Sequence, residues 1–121
     1  MSTYEHGIII INEAHSLLPD QIKKLNEVFL NGYSLHLIPN EGLTYDQMEA
    51  ESCKLQDIAS EKDAVIVFAS PVPALIKIAL LQECYLGGAA VLLFHNDKRE
   101  KKELPNGKVI SVTAKDGWRL I

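Results

Sequence analysis

The sequence predicts an α/β fold built on a mainly parallel sheet. Apolar runs alternate with segments of helical periodicity three times along the chain, which is typical of consecutive βα units. The runs at residues 8–11 and 64–69 are continuously apolar. Such runs mark strands that are covered on both faces, as strands of parallel sheets are. We therefore expect helices on both faces of the sheet.

The first βα unit begins with the predicted strand at residues 8–11. A helix is expected from Pro19 onward, because proline suits the first helical turn. Its apolar positions share helical spacing and are Ile22, Leu25, Val28 and Phe29. Asn31-Gly32 offers the left-handed conformation that ends helices. Residues 34–38 then form the second predicted strand.

The second unit has a helix with a marked beginning. Thr44 and Gln47 match a capping box, in which the two side chains bond to each other's backbone N–H groups. This helix is predicted to continue to about Ser60 and to have a narrow apolar face. The third predicted strand, residues 64–69, follows and ends where prolines interrupt the chain.

The third unit contains the most apolar helix, predicted from about Pro73 to Leu86. Only Lys77, Gln82 and Glu83 interrupt its apolar surface. A helix that is apolar almost all round needs cover on more than one side. We therefore predict a homodimer whose interface lies along residues 73–86.

After the fourth predicted strand, residues 89–94, the chain becomes charged. Asn106-Gly107 and Asp116-Gly117 are both hairpin signals. We interpret the tail as antiparallel strands that extend one edge of the parallel sheet.

The composition narrows the functional classes. The formal net charge of −4 argues against binding of duplex nucleic acid. The two cysteines have no disulfide or zinc spacing, and the His, Asp and Glu residues suggest no metal site. We expect no cofactor. The residues before the first strand lack the features of a signal peptide, and no apolar stretch reaches the length of a membrane span. A cytoplasmic protein that does not bind membranes is expected.

The order of elements predicts where a ligand site lies. In such sheets strands one and three are neighbours, and ligands bind where the chain direction reverses, at the carboxyl ends of the strands. The loops after strands one, three and four should therefore meet at one edge.

The first of these loops carries Asn12 and His15. An imidazole can act as acid or base near neutral pH. The alternative is that His15 caps a helix or faces water. Neither His6 nor His36 lies near the predicted edge, and we assign them no role.

The second loop, Ser70-Pro71-Val72-Pro73, leads into a helix N-terminus that could hold a phosphate. Its only polar side chain is Ser70, and it lacks the glycines of a dinucleotide or Walker loop. A rigid turn without function is the alternative.

The third loop carries His95, Asn96 and the main basic cluster of the chain. Arg99 could bind a phosphate with two parallel hydrogen bonds, and Lys98 could offset its charge. The following lysines at 101 and 102 are expected to be solvated, and Trp118 is expected to pack in the tail.

The residues also resemble the small CRISPR-associated ring nucleases, relatives of the CARF domains with a Rossmann-like fold. In that family a polar residue, a histidine and a helix with glutamine follow the first strand. A late strand leads to a basic residue, a glycine turn and a strand ending in aromatic and basic residues. The matching segments are Asn12-Glu13-Ala14-His15, Leu18-Pro19-Asp20-Gln21, His95-Asn96-Asp97-Lys98-Arg99, Asn106-Gly107-Lys108-Val109 and Trp118-Arg119.

The resemblance implies a single Rossmann-like domain over residues 1–121 that binds a cyclic oligoadenylate second messenger across a dimer interface. It also implies slow, metal-independent cleavage by the ribose 2′-hydroxyl, which would switch off type III CRISPR signalling. His15, Lys98 and Arg99 would then be catalytic. The ligand-binding residues would be Asn12, Ser70, His95 and Asn96.

Two functions are compatible with these residues. One is this nuclease; the other is a module of the same fold that senses nucleotides or binds a protein partner without cleavage.

The sequence departs from the ring nuclease pattern at three positions. That family usually has hydroxyl residues at the positions of His95 and Asn96, and commonly a glycine at the position of Pro71.

Overall fold

The computed structural model describes residues 4–121. The elements in this range are β1 (His6–Asn12), α1 (Pro19–Val28), β2 (Tyr33–Ile38), α2 (Tyr45–Lys62), β3 (Ala64–Phe68), α3 (Pro73–Leu86), β4 (Val91–Asn96), β5 (Arg99–Glu103), β6 (Val109–Thr113) and β7 (Trp118–Leu120). Three βα units are thus followed by strands only. The predicted α/β class is confirmed, while residues 1–3 of the predicted domain lie outside the described range.

Five of the strands form one sheet in the order β2-β1-β3-β4-β7. The pairs β1–β2, β1–β3 and β3–β4 are parallel, and only β7 runs antiparallel. The predicted neighbourhood of the first and third strands is confirmed. The chain leaves β1 toward β2 and then crosses to β3 on its other side, so the direction reverses between β1 and β3.

Helices cover the sheet on both faces. Since successive side chains of a strand point to opposite sides, one strand contributes to both of the resulting cores. On one face, Ile8 and Ile10 of β1 pack into a cluster with residues of α2 and α3. On the other face, Ile9 packs into a cluster with Leu25 of α1. The isoleucine run is therefore buried on both sides, as its sequence predicts.

The predicted signals match the start of α2 and the end of α3, which is capped by Gly87, but not the end of α1. Thr44 and Gln47 form the expected capping box, with the Gln47 N–H donating to the Thr44 hydroxyl over 3.2 Å. Helix α1 ends earlier than predicted, at Val28. The ring of Phe29 then turns into the core beside Gly7, where a Cβ atom on the glycine would lie 2.8 Å from it. The backbone at Phe29 also forms a parallel bridge with Tyr4, so the chain has left the helix before Asn31-Gly32.

The prediction for the tail is only partly right. An antiparallel hairpin exists, but β5 and β6 form a separate two-stranded sheet, and β7 alone extends the edge of the main sheet. The charged run contains a strand, Arg99–Glu103. The Asp116-Gly117 pair is a turn but joins no hairpin, because β6 is already paired with β5 and β7 is paired with β4.

Within residues 4–121, no helix is both long and apolar enough to cross a membrane.

Candidate functional site

The carboxyl edge of the sheet brings two of the predicted loops into direct contact. The backbone N–H of Asn12, at the end of β1, donates to the hydroxyl oxygen of Ser70 over 2.8 Å. Ser70 follows β3, and its own N–H donates to the Ile10 carbonyl over 3.3 Å. Residues 58 positions apart in the chain are thus joined because β1 and β3 are adjacent.

Ser70 and His15 form a side-chain pair at this junction. The Ser70 hydroxyl lies 3.2 Å from Nδ1 of His15, and Ser70 is only 4% exposed. Because the hydroxyl oxygen already accepts the Asn12 N–H, its own proton is free to point toward His15 or toward a ligand. His15 is exposed and therefore reaches solvent on its other side.

The side chain of Asn12 contributes to the loop. Its Oδ1 accepts the N–H of Ala14 over 2.8 Å, which is a local turn of the kind that asparagine favours. Asn12 therefore acts on the site through its backbone N–H, which holds Ser70.

A cleft of about 320 Å³ opens beside Ser70 at the same edge. Its lining includes Ser70, Phe94, His95, Arg99, Thr113 and Trp118. The ring of Trp118 meets Phe94 edge to face, with 6.0 Å between the centroids. Trp118 packs as predicted, and it also forms part of the wall. The cleft combines a hydroxyl, an imidazole and a guanidinium with an aromatic surface.

Arg99 is the main charged group of the cleft. Its Nη1 donates to the hydroxyl of Thr113, directly opposite on β6, over 2.8 Å. Within residues 4–121, no carboxylate lies within 4.0 Å of its guanidinium. A guanidinium that is fixed in place but carries no counter-charge is well suited to an anionic ligand.

Lys98 lies outside the cleft lining and has a partner of its own. Its Nζ is 2.9 Å from Oδ2 of Asp116. The hydrogen bond and the charge of Lys98 lower the pKa of the Asp116 carboxyl, and those of Asp116 raise the pKa of Lys98. The ammonium is therefore engaged with Asp116.

Asn96 touches the cleft, but its amide is occupied by the backbone. The Nδ2 group donates to the carbonyls of Ala114 and Asp116, both over 2.9 Å, and Oδ1 accepts the N–H of Lys98 over 2.6 Å. Asn96 is 8% exposed. It joins the end of β4 to both ends of the hairpin and so sets the position of Arg99.

His95 lies in the cleft wall with an acidic neighbour. Its Nε2 is 3.2 Å from Oδ1 of Asp97, and the other carboxylate oxygen of Asp97 accepts a 3.4 Å bond from Arg119. With Nε2 donating to Asp97, the Nδ1 atom of a neutral His95 is an acceptor.

The structure thus groups Ser70, His95, Asn96 and Arg99 around one cleft, with Asn12 and His15 behind Ser70. Sequence reasoning missed Thr113 and Asp97. The hairpin signal at Asn106-Gly107 points to this region, but a two-residue turn there would pair Arg99 with Ala114, so the partner Thr113 could not be identified from it. For Asp97 no signal exists beyond its place in the polar stretch.

A second depression, of about 350 Å³, lies at the other end of the sheet. It is lined by His6, Asn31, Tyr33 and Lys62 among others. None of the predicted site residues reaches it. In the part of the chain that the structure describes, no group of three or more His, Cys, Asp or Glu side chains could hold a metal ion.

No family model, no curated protein and no solved structure matches this chain. Its function therefore has to be inferred from the contacts at the carboxyl edge of the sheet.

Proposed function

We propose that the protein binds a cyclic oligoadenylate at the cleft and cleaves it without a metal ion. The observation that carries this proposal is that the guanidinium of Arg99 and the hydroxyl of Ser70 line one cleft at the carboxyl edge of the sheet. The strand order, with helices on both faces, supports the expected Rossmann-like fold, in which ligands bind at this edge.

Arg99 holds the scissile phosphate in this proposal. Thr113 fixes one nitrogen of the guanidinium, and the remaining N–H groups form charge-assisted bonds to phosphate oxygens. As negative charge builds on the phosphorus-bound oxygens, the same donors stabilise it without having to reorient. Lys98 is bound to Asp116 and supports the base of the hairpin instead of contacting the phosphate.

Ser70 and His15 move the proton. The ribose 2′-oxygen attacks phosphorus and gives its proton to the Ser70 oxygen, whose own proton passes to Nδ1 of His15. The bond from phosphorus to the 5′-oxygen breaks, and this oxygen takes a proton from water. The proton that His15 then releases to solvent neutralises the remaining hydroxide. The products are a linear chain and a 2′,3′-cyclic phosphate. Opening the ring would remove the messenger and switch off type III CRISPR signalling.

The homodimer is part of the same proposal. On α3, Leu75 and Ala79 are buried against the sheet, while Leu81, Tyr85 and Leu86 are exposed, Tyr85 by 80%. An exposed apolar stripe of this kind marks an interaction surface. Ile76 of the same helix lines the cleft, so a two-fold interface along α3 would bring two clefts near one symmetric ring.

The test is to incubate the purified protein with cyclic tetra-adenylate and cyclic hexa-adenylate in EDTA and to resolve the products by chromatography. Linear products with 2′,3′-cyclic ends support the proposal. Binding without products would leave a nucleotide sensor in its place, and absence of both would overturn it.

Two variants sharpen this test. Arg99→Ala should weaken binding at least tenfold, whereas Lys102→Ala, on the opposite face of the same strand, should not.

Light scattering on Leu81→Glu and on the unaltered protein tests the dimer. A stable monomer in the unaltered protein would contradict the interface along α3.

A further inference from the structure

One face of the β5–β6 hairpin continues the cleft outward. Residues directly opposite each other in an antiparallel pair share a face, as do alternate residues of one strand. Arg99 opposes Thr113, and both line the cleft. The next pair on that face is Lys101 with Ser111. The face therefore repeats a cation beside a hydroxyl.

The second pair is open to a ligand. All of β5 is exposed, and so is Ser111. In the described range, Lys101 has no carboxylate within 4.0 Å. The ammonium of Lys101 supplies three donors and the hydroxyl of Ser111 supplies one, which suits a phosphate group.

The spacing suits a nucleotide chain. Two residues along a strand span about 7 Å, which is comparable to the distance between phosphates of successive nucleotides. A cleft of about 320 Å³ is at the lower end of small-molecule sites, so the rest of a ring must lie on the surface beside it. The hairpin face is the surface that adjoins Arg99.

We propose that Lys101 and Ser111 form a second phosphate subsite, which holds the phosphate next to the one bound by Arg99. This inference rests on the proposed function, since it assigns a further part of the same ligand. It also gives a reason for the separate hairpin, which carries two pairs of donors away from the sheet before Glu103 opposite Val109.

Lys101→Ala and Lys102→Ala form a matched pair for the test. Each removes one positive charge from an exposed position of β5, but Lys102 lies opposite Ile110 on the other face. Far-UV circular dichroism checks that both variants fold. Affinity for cyclic tetra-adenylate is measured by calorimetry over a series of KCl concentrations, and 5′-AMP serves as a probe with a single phosphate.

Lys101→Ala should weaken binding of the ring about fivefold, as loss of one exposed ion pair does. It should also reduce the slope of log affinity against log salt by about 0.7, the value for one phosphate contact in a single strand. Lys102→Ala should change neither, and the affinity for 5′-AMP should be the same in both variants.

The outcomes separate the two proposals. If the unaltered protein binds the ring and both variants behave alike, the second subsite is wrong and the proposed function stands. If Lys101→Ala also weakens 5′-AMP, Lys101 contacts the first phosphate and the separate subsite is overturned. If the unaltered protein binds neither ligand, the proposed function fails and this inference fails with it.

Discussion

Replacing Asn96 with alanine removes three hydrogen bonds between the end of β4 and the residues that flank the β5–β6 hairpin. Two of them end on carbonyls, of Ala114 and Asp116, and the third begins at the N–H of Lys98. Ala114 is 2% exposed, so its carbonyl has little access to water once the amide is gone. The Asn96→Ala variant should therefore be less stable, and the position of Arg99 should loosen.

The expected size follows from these contacts. A hydrogen bond contributes about 1 kcal/mol net, and a buried group left without a partner costs about 1–3 kcal/mol. With one buried carbonyl among three lost bonds, we expect the free energy of unfolding to fall by about 3 kcal/mol. For a domain of this size, with a urea m-value of about 1.5 kcal/mol/M, the midpoint should fall by about 2 M.

Urea unfolding followed by circular dichroism measures this change. Asn106→Ala is the control, because it deletes the same side chain where it accepts one exposed bond from the N–H of Lys108. The free energy of unfolding of Asn106→Ala should fall by less than about 1 kcal/mol. If the free energies of unfolding of Asn96→Ala and the control differ by less than about 0.5 kcal/mol, the Asn96 amide does not secure the junction between β4 and the hairpin. That result would refute our account of how Arg99 is positioned.

Three further predictions concern the scaffold. Gly7→Ala should destabilise by about 1–3 kcal/mol in thermal unfolding, because the new Cβ would lie 2.8 Å from the buried ring of Phe29; an unchanged midpoint would mean that the ring has room to move. Thr44→Ala should cost about 1 kcal/mol through loss of the cap of α2, and Thr44→Ser should restore most of it. In a carboxyl-carbon NMR titration, Asp116 should show a pKa below its ordinary value, and Lys98→Met should raise it. Because the folded pKa is the lower one, the contribution of this pair is present above the unfolded pKa of the carboxyl and is lost as the pH falls through the folded value.

Part of the candidate site follows from local sequence alone. The apolar run of β1 and the proline that follows Ser70 fix where two strands end, and the order of βα units makes these strands neighbours. Asn12 and Ser70 are therefore expected at one edge before any contact is known. Their hydrogen bond is a consequence of the topology that the pattern predicts.

The register of the β5–β6 hairpin could not be predicted from the local sequence. A two-residue turn at Asn106-Gly107 would place Arg99 opposite Ala114. The structure instead has a three-residue loop, with the Gly107 N–H bonded to the Leu104 carbonyl and Gly107 at a φ of 83°. The register moves by one residue, and Thr113 becomes the partner of Arg99. A shift of one residue changes which side chains share a face.

The sequence by itself determined the succession of helices and strands, the burial of the β1 isoleucines and the edge at which polar residues gather. These follow from periodicity and capping, which depend on residues a few positions apart. Only the tertiary structure decided that Lys98 pairs with Asp116 and that the Asn96 amide is hydrogen-bonded to backbone groups. It also decided that Arg99 has no counter-charge among the described residues. Those outcomes depend on distances between side chains far apart in the chain, and such distances are set by packing and register, on which the local pattern carries no information.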